Sequence, residues 1–224
     1  MRKENGLWVA IDGPDAVGKT TQVKLVVEHL KTNGLKSVAV QEFSSSPVGQ
    51  TIQDILSTSR FYALREDKKS PLADTLLLVT DLVYEIESTI VPTIKSGGIV
   101  VSDRGPASLV AYQAVRISER SDFSLDKAIT WCQRALSQTP VKPDLTTLIV
   151  ISEDEMARRV EQREHYPLSQ SDLSFLRQVN KILPSTAIEF SRRYTLIDGE
   201  KSPSEVTAAI VGDILSRINK KQIL

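Results

Sequence analysis

Short runs of apolar residues predict the strands of this chain. Each run contains β-branched residues and is flanked by polar residues or glycine, which is typical of buried strands. The runs occupy positions 7–11, 36–41, 99–102, 144–151 and 194–197.

Apolar residues at helical spacing fill most of the sequence between these runs. The first such segment carries Val23, Val26 and Leu30 and stops at Asn33 and Gly34, a typical helix end. Further helices are predicted at 49–56, 72–94, from 108 onward, 126–137, 153–163, 172–183 and 204–218, and the charged stretch 65–69 is predicted to be a solvated connection. Strands that alternate with helices predict an α/β fold, with a parallel sheet covered on both faces.

A glycine-rich loop between the first predicted strand and helix matches the phosphate-binding pattern G-x-x-x-x-G-K-[ST]. Its glycines allow backbone N–H groups to approach a phosphate, and the helix that follows presents its positive end to the same place. The predicted nucleotide-binding residues are Gly13, Pro14, Asp15, Ala16, Val17, Gly18, Lys19, Thr20 and Thr21. The sequence therefore predicts a P-loop that binds the triphosphate group of a nucleotide.

Two polar pairs carry the predicted chemistry. In the loop, Lys19 is placed to reach the β- and γ-phosphates, and the Thr20 hydroxyl to complete the shell of a Mg²⁺ ion. Asp103 and Arg104 follow the strand at 99–102, so they are expected at the carboxyl end of the sheet beside the loop. A carboxylate there can hold Mg²⁺, and arginine can grip a phosphate with two parallel hydrogen bonds. We predict a metal site at Thr20 and Asp103, and catalytic roles for Lys19 and Arg104.

Composition excludes several classes of function. Lys plus Arg and Asp plus Glu both total 28, so no overall charge favours nucleic acid or a membrane surface. The one cysteine, Cys132, is expected to be core packing, and it leaves no intrachain disulfide. The N-terminus lacks an apolar signal region, and no apolar run is long enough to span a bilayer. A cytoplasmic location is therefore expected.

Arginines cluster near the end of the predicted helix 153–163, at Arg158, Arg159 and Arg163. Two explanations are open: cations stabilise the C-terminus of a helix, or these side chains form a mobile cover over a phosphate. In the second case the cover spans about 158–172, and Arg163 is the candidate catalytic arginine.

Several stretches together resemble thymidylate kinase, in the same order and at compatible spacing across nearly the whole chain. They are the loop at 13–22, Asp103–Arg104 with Ser108 and the Ala-Tyr-Gln at 111–113, the segment 142–146, and the segments 194–198 and 202–206. The resemblance implies a single kinase domain over 1–224, a three-layer α/β P-loop fold of the nucleoside-monophosphate kinase type, and a homodimer. It also implies transfer of the γ-phosphoryl of ATP to dTMP, with Mg²⁺.

The resemblance assigns roles on the acceptor side as well. It makes Asp15 a contact to the sugar hydroxyl and the acceptor phosphate, Arg104 a clamp on both phosphates, and Tyr112 a group packed against the deoxyribose. By position, the substrate-binding residues are Asp15, Glu42, Phe43, Leu78, Leu82, Arg104, Ser108, Leu109 and Tyr112.

The acceptor side also departs from the family pattern. Leu78 stands where the family has a stacking phenylalanine, Leu82 where it has an arginine on the acceptor phosphate, and Leu109 where it has a polar residue that reads the base. Gly105 replaces an aromatic residue or histidine, and the loop at 42–45 reads Glu-Phe-Ser-Ser in place of Glu-Pro-Gly-Gly. Leucine cannot pair with a phosphate or a base edge, and such a contact to a charged partner is worth ~1.5 to 3 kcal/mol.

Three interpretations follow. The first is a thymidylate kinase-like enzyme that phosphorylates a nucleoside monophosphate. The second keeps the kinase chemistry but takes a different nucleotide or small-metabolite acceptor. The third is an ATP-binding regulatory protein with little transfer activity.

Overall fold

The computed structural model describes residues 6–57, 70–137, 139 and 141–222. The connection predicted at 65–69 lies outside these ranges. Within them, no helix is both long enough and apolar enough to cross a membrane.

A five-stranded sheet in the order β2-β3-β1-β4-β5 forms the centre of the molecule. All neighbouring strands are parallel; β1, for example, pairs Val9 with Val101 of β3 on one side and with Leu145 of β4 on the other. The strands are β1 Leu7–Asp12, β2 Ser37–Val40, β3 Ile99–Asp103, β4 Leu145–Val150 and β5 Tyr194–Asp198. The predicted α/β fold with a parallel sheet is confirmed.

Helices cover both faces of this sheet. Their apolar residues pack on the strands or on neighbouring helices; α6, for example, packs against α5. They are α1 Lys19–Thr32, α2 Pro47–Ser57, α3 Pro71–Glu85, α4 Val91–Lys95, α5 Pro106–Arg120, α6 Leu125–Leu136, α7 Glu153–Glu164, α8 Gln170–Phe190 and α9 Pro203–Gln222.

Alternate residues of the strands face opposite sides of the sheet, where the described residues form three apolar clusters, the smallest of them around Trp8 and Val100. On one face, Val9 and Ile11 pack with residues of α1 and α9 such as Leu30 and Ile210. On the other face the core is built largely from α5, α6 and α8 and includes Cys132, which is fully buried, as the sequence predicts. Burial raises the pKa of the Cys132 thiol to about 12, which is consistent with packing rather than reactivity.

The helix predicted at 72–94 is interrupted by a π-helical turn, Ile86–Ile90, between α3 and α4. The N–H of Val91 bonds to the carbonyl of Ile86, five residues back. Pro92 follows directly, and proline has no N–H and crowds the carbonyl four residues before it. The wide turn therefore occurs where the regular α-helical pattern of backbone hydrogen bonds is least favourable.

Candidate active site

The glycine loop connects β1 to α1 at the carboxyl edge of the sheet, as predicted. Gly13, Ala16 and Gly18 all have positive φ, at 146°, 59° and 92°. A Cβ on Gly13 would lie 2.5 Å from the carbonyl oxygen of Ile149 in β4, so this position has no room for a larger residue. The loop is thereby packed against the sheet while its far side remains open to a ligand.

Lys19 is the first residue of α1 and is almost fully buried. Its Nζ donates hydrogen bonds to the carbonyls of Pro14 at 2.8 Å and Gly13 at 3.2 Å. Burial is the largest influence on this ammonium group and, with Arg104 nearby, lowers its pKa to about 8. A positive charge held in a concave loop is suited to bind the phosphates of a nucleotide.

Thr20 and Asp103 meet although 83 residues separate them: the Thr20 hydroxyl donates to Asp103 Oδ2. Hydroxyl and carboxylate oxygens are the ligands that Mg²⁺ prefers, and Mg²⁺ completes its octahedron with phosphate oxygens and water. In the described part of the chain, no three His, Cys, Asp or Glu side chains are grouped to hold a metal by themselves. These two residues therefore fit a Mg²⁺ ion that arrives with a nucleotide.

Arg104 lies at the centre of the site, in a strained backbone conformation with φ of 71°. Its Nη2 is 2.6 Å from Asp15 Oδ1, its Nε is 2.8 Å from Glu42 Oε1, and its guanidinium stacks 4.6 Å from the ring centre of Tyr112. Burial opposes both charges, yet Glu42, Tyr112 and Asp15 together raise the pKa of Arg104. Arg104 and Lys19 lower the pKa of Asp15. Both groups are therefore charged at neutral pH.

Several buried polar atoms around Arg104 lack a hydrogen-bond partner among the described residues. They include Asp15 Oδ2, Arg104 Nη1 and the Tyr112 hydroxyl. Buried polar groups are normally satisfied, and Arg104 and Tyr112 line the cleft described below, so these unused donors and acceptors indicate where a ligand bonds. A phosphate and a sugar hydroxyl supply the complementary atoms.

A cleft of about 560 Å³ extends from Arg104 between α3, α5 and the loop after β2. Leu78 and Leu82 of α3 and Leu109 of α5 all line it, as do Phe43 and Phe175. Most positions assigned to the acceptor from the sequence therefore border this cleft, Asp15 lies beside it bonded to Arg104, and the leucine and phenylalanine side chains make much of the lining apolar. The volume of the cleft is within the ordinary range for small-molecule sites.

Ser108 also borders the cleft, but its hydroxyl forms a hydrogen bond within the protein and does not face the cleft as a free donor. It donates to Asp12 Oδ1, which also accepts the Gly105 N–H at 3.1 Å. Asp12 is fully buried, and burial raises the pKa of its carboxyl. Asp12 was not among the residues predicted from the sequence, although it also follows directly after an apolar strand, the signal that identified Asp103.

Further polar residues of the cleft were also missed. Arg116 of α5 forms an ion pair with Asp74 of α3 at 2.8 Å, and the Thr75 hydroxyl lies 3.3 Å from Gln113 Oε1. Asp74, Gln113 and Arg116 all line the cleft. Each occupies a helix position that is typical of an ordinary solvated residue, so only the packing of α3 against α5 places them at the site.

The three arginines of α7 separate into two groups. Arg158 and Arg159 both bond to Glu155 on the same helix, and Arg159 also donates to the carbonyl of Gly199 at 3.1 Å. Arg163 instead lines the cleft, pairs with Glu164 at 2.8 Å, and contributes to the lowered pKa of Asp15. Of the three, Arg163 is the one placed to contact a phosphate beside Arg104.

Comparison with known proteins agrees with this geometry. The family model for thymidylate kinase matches residues 11–210, which include the glycine loop, Asp103–Arg104 and α7. The chain belongs to the thymidylate kinase family. It is therefore a P-loop protein of the nucleoside-monophosphate kinase type, a class of phosphotransferases.

Individual relatives cover almost the full length of the chain. It is 30% identical to the probable thymidylate kinase of Pyrobaculum aerophilum, over 94% of this chain and 97% of that protein. It is 28% identical to the thymidylate kinase of Sulfurihydrogenibium sp., over 95% and 98%, and 26% identical to that of Parasynechococcus marenigrum, over 96% and 99%.

Proposed function

We propose that this protein transfers the γ-phosphoryl group of ATP to a nucleoside monophosphate, with dTMP as the family's default acceptor. One observation carries the proposal: Thr20 of the P-loop bonds to Asp103, Asp15 of the same loop bonds to Arg104, and Asp103, Arg104 and Tyr112 line a single cleft. A site with cationic groups on both sides of one point is suited to two phosphorylated molecules that meet end to end.

Phosphoryl transfer requires little covalent chemistry from the protein. Lys19 would neutralise charge on the β- and γ-phosphates, and Thr20 and Asp103 would hold the Mg²⁺ ion, which supplies further charge neutralisation when bound. Arg104 would contact the acceptor phosphate through its free Nη1, oriented by Asp15 and Glu42. Asp15 Oδ2 would accept a sugar hydroxyl, and Arg163 would close over the reacting groups. Catalysis would then come from alignment and charge stabilisation.

A coupled assay for ADP release, run with ATP, Mg²⁺ and a panel of nucleotides, tests the proposal. Acceptor-dependent release with dTMP or another nucleoside monophosphate supports it. ATP binding without acceptor-dependent ADP release from any nucleotide would reject it and favour a regulatory ATP-binding protein.

A second candidate keeps the reaction but changes the acceptor, because Leu78, Leu82 and Leu109 replace polar or aromatic family residues in the cleft. Leu82→Arg tests it, with Leu82→Met as the control for size. If the acceptor is dTMP, the new cation should raise kcat/KM for dTMP by about tenfold. If the pocket is adapted to another acceptor, dTMP turnover stays weak in both variants, and a different compound of the panel is the better substrate of the unaltered protein.

We also propose a homodimer. Leu76 and Tyr84 of α3 are 50% and 47% exposed. Large apolar side chains that cluster on one helix face are typical of an interaction surface. Since the resemblance implies a dimer, a second copy of the chain is the proposed partner.

A further inference from the structure

Asp81, on α3, is a buried carboxylate that borders the cleft beside Leu78 and Leu82. It is 3% exposed, and no cation of the described residues forms an ion pair with it. A carboxylate buried without a cation is costly unless hydrogen bonds replace its water. The residues that supply those hydrogen bonds therefore indicate what Asp81 does.

Among the described residues, its hydrogen-bond donors all come from the loop after β2. The N–H of Ser44 donates to Oδ2 at 3.0 Å, the hydroxyl of Ser46 donates to Oδ1 at 3.1 Å, and the hydroxyl of Ser44 also donates to Oδ1. Hydrogen bonds to an ionised acceptor are the stronger kind in proteins. One residue of α3 thus holds the loop at several points.

The network continues into the start of α2. Ser46 Oγ accepts the N–H of Gly49 at 2.9 Å and so caps α2. A Cβ on Gly49 would lie 2.2 Å from the carbonyl oxygen of Ser44 and 2.7 Å from Asp81 Oδ1. The loop, the first turn of α2 and Asp81 therefore pack without space for one additional methyl group.

The same loop carries two residues of the cleft. Glu42 pairs with Arg104 at 2.8 Å, and Phe43 lines the cleft. We propose that Asp81 is a positioning residue for acceptor binding: it holds Ser44 and Ser46, and so fixes Phe43 and, through Glu42, the Arg104 guanidinium. The kinetic consequence rests on the proposed function, whereas the network itself can be tested without substrate.

Asp81→Asn is the test, since asparagine keeps the shape but replaces one accepting oxygen with an NH₂ group. We expect hydrogen exchange of the backbone amides at 44–50 to become about tenfold faster, with little change in α9. Thr80→Ala is the matched control, because Thr80 is exposed next to Asp81 and, within the described part of the chain, its hydroxyl bonds to the Leu76 carbonyl of its own helix. Unchanged exchange at 44–50 in Asp81→Asn would overturn the inference, whatever the activity of the unaltered protein.

The second measurement is steady-state kinetics with dTMP, or with the best acceptor of the nucleotide panel. Asp81→Asn should raise the acceptor KM by about tenfold and leave the ATP KM within about twofold, whereas general destabilisation would reduce the active fraction without that separation. Ser46→Ala should have a smaller effect, and the double variant should show less than the product of the two effects. Equal rises in both KM values, or no rise in the acceptor KM, would contradict the role.

The two measurements separate this inference from the proposed function. If the unaltered protein phosphorylates no nucleotide, the proposed function is rejected, and hydrogen exchange alone decides whether Asp81 holds the loop.

Discussion

Lys19 has a pKa of about 8, chiefly because it is buried, and this gives a prediction for pH dependence. The value lies below the ordinary 10.5, so the ammonium loses its proton as the pH rises through about 8, and a neutral amine no longer attracts phosphate. We expect kcat/KM for ATP to fall above about pH 8, while kcat at saturating ATP stays level to higher pH because bound phosphates favour the charged amine. Initial rates across this pH range measure both constants.

Lys19→Ala is the control for that profile. It should lower kcat by ~10²- to 10³-fold, since one charge-stabilising donor is lost. The residual activity should show no inflection near pH 8. The same inflection in Lys19→Ala would assign the titration to a different group.

Arg104 should act mainly on the acceptor. We expect Arg104→Ala to lower kcat/KM for the acceptor by ~10- to 100-fold, because a buried charged contact is removed. The ATP KM should change by less than about threefold, since Lys19 and the loop remain. Arg177→Ala, which removes an exposed arginine paired with Glu153 on the molecular surface, is the control. A loss of ATP affinity as large as the loss of acceptor turnover would show that the two roles are wrongly divided.

At the scale of the single residue, some members of the site can be identified from the sequence and others cannot, for a physical reason. Lys19, Thr20, Asp103 and Arg104 have fixed spacing from a glycine loop or from a strand end, and the structure brings these four together. The importance of Asp81 depends on contacts with Ser44 and Ser46 of a distant loop. A carboxylate at a helix position usually faces solvent, so no pattern along the chain separates Asp81 from an ordinary surface residue.

Helix ends give a prediction at the scale of the element. After α1, Gly34 has φ of 75°, its N–H bonds to the carbonyl of Lys31, and the N–H of Leu35 bonds to that of Leu30. This is the Schellman pattern, in which glycine avoids the strain of positive φ. Because a Cβ there would meet no atom within 4 Å, Gly34→Ala should cost about 1 kcal/mol of unfolding free energy through backbone strain alone.

Gly212→Ala is the same chemical change, but we expect it to shift the free energy of unfolding in the opposite direction. Gly212 lies inside α9, and a Cβ there also has open space. Alanine should stabilise that helix by about 0.5 to 1 kcal/mol, because glycine loses more backbone entropy on folding. Urea unfolding of both variants measures the two effects. A destabilised Gly212→Ala, or a neutral Gly34→Ala, would contradict the backbone explanation.

Element types could be read from the sequence, whereas some boundaries could not. The helix predicted at 172–183 continues in the structure to Phe190, through Pro184. The apolar spacing suggested a stop before the proline, but Ala187 and Phe190 are buried, and this packing offsets the hydrogen bond that Pro184 cannot make. The π turn at 86–90 was unpredicted for a similar reason, since the apolar spacing continues through it.

At the scale of the whole molecule, α3 connects the cleft to the surface. One face of the helix carries Leu78 and Asp81, towards the cleft and the loop after β2, and the other exposes Leu76 and Tyr84. The proposed dimer would bury this second face. A helix fixed from both sides presents a more rigid wall to a ligand, so subunit association and acceptor binding should be linked.

Leu76→Glu tests that link, because a carboxylate on each subunit would be buried against the partner, which is costly. We expect sedimentation equilibrium to show a monomer, and the acceptor KM to rise by several-fold while the ATP KM changes little. Leu215→Glu is the matched control, since Leu215 is 39% exposed on α9, away from α3, and the variant should keep the assembly state of the unaltered protein. If Leu76→Glu and the unaltered protein have the same mass in solution, α3 is not the interface. If the mass falls but the acceptor KM does not change, the two faces of α3 act independently.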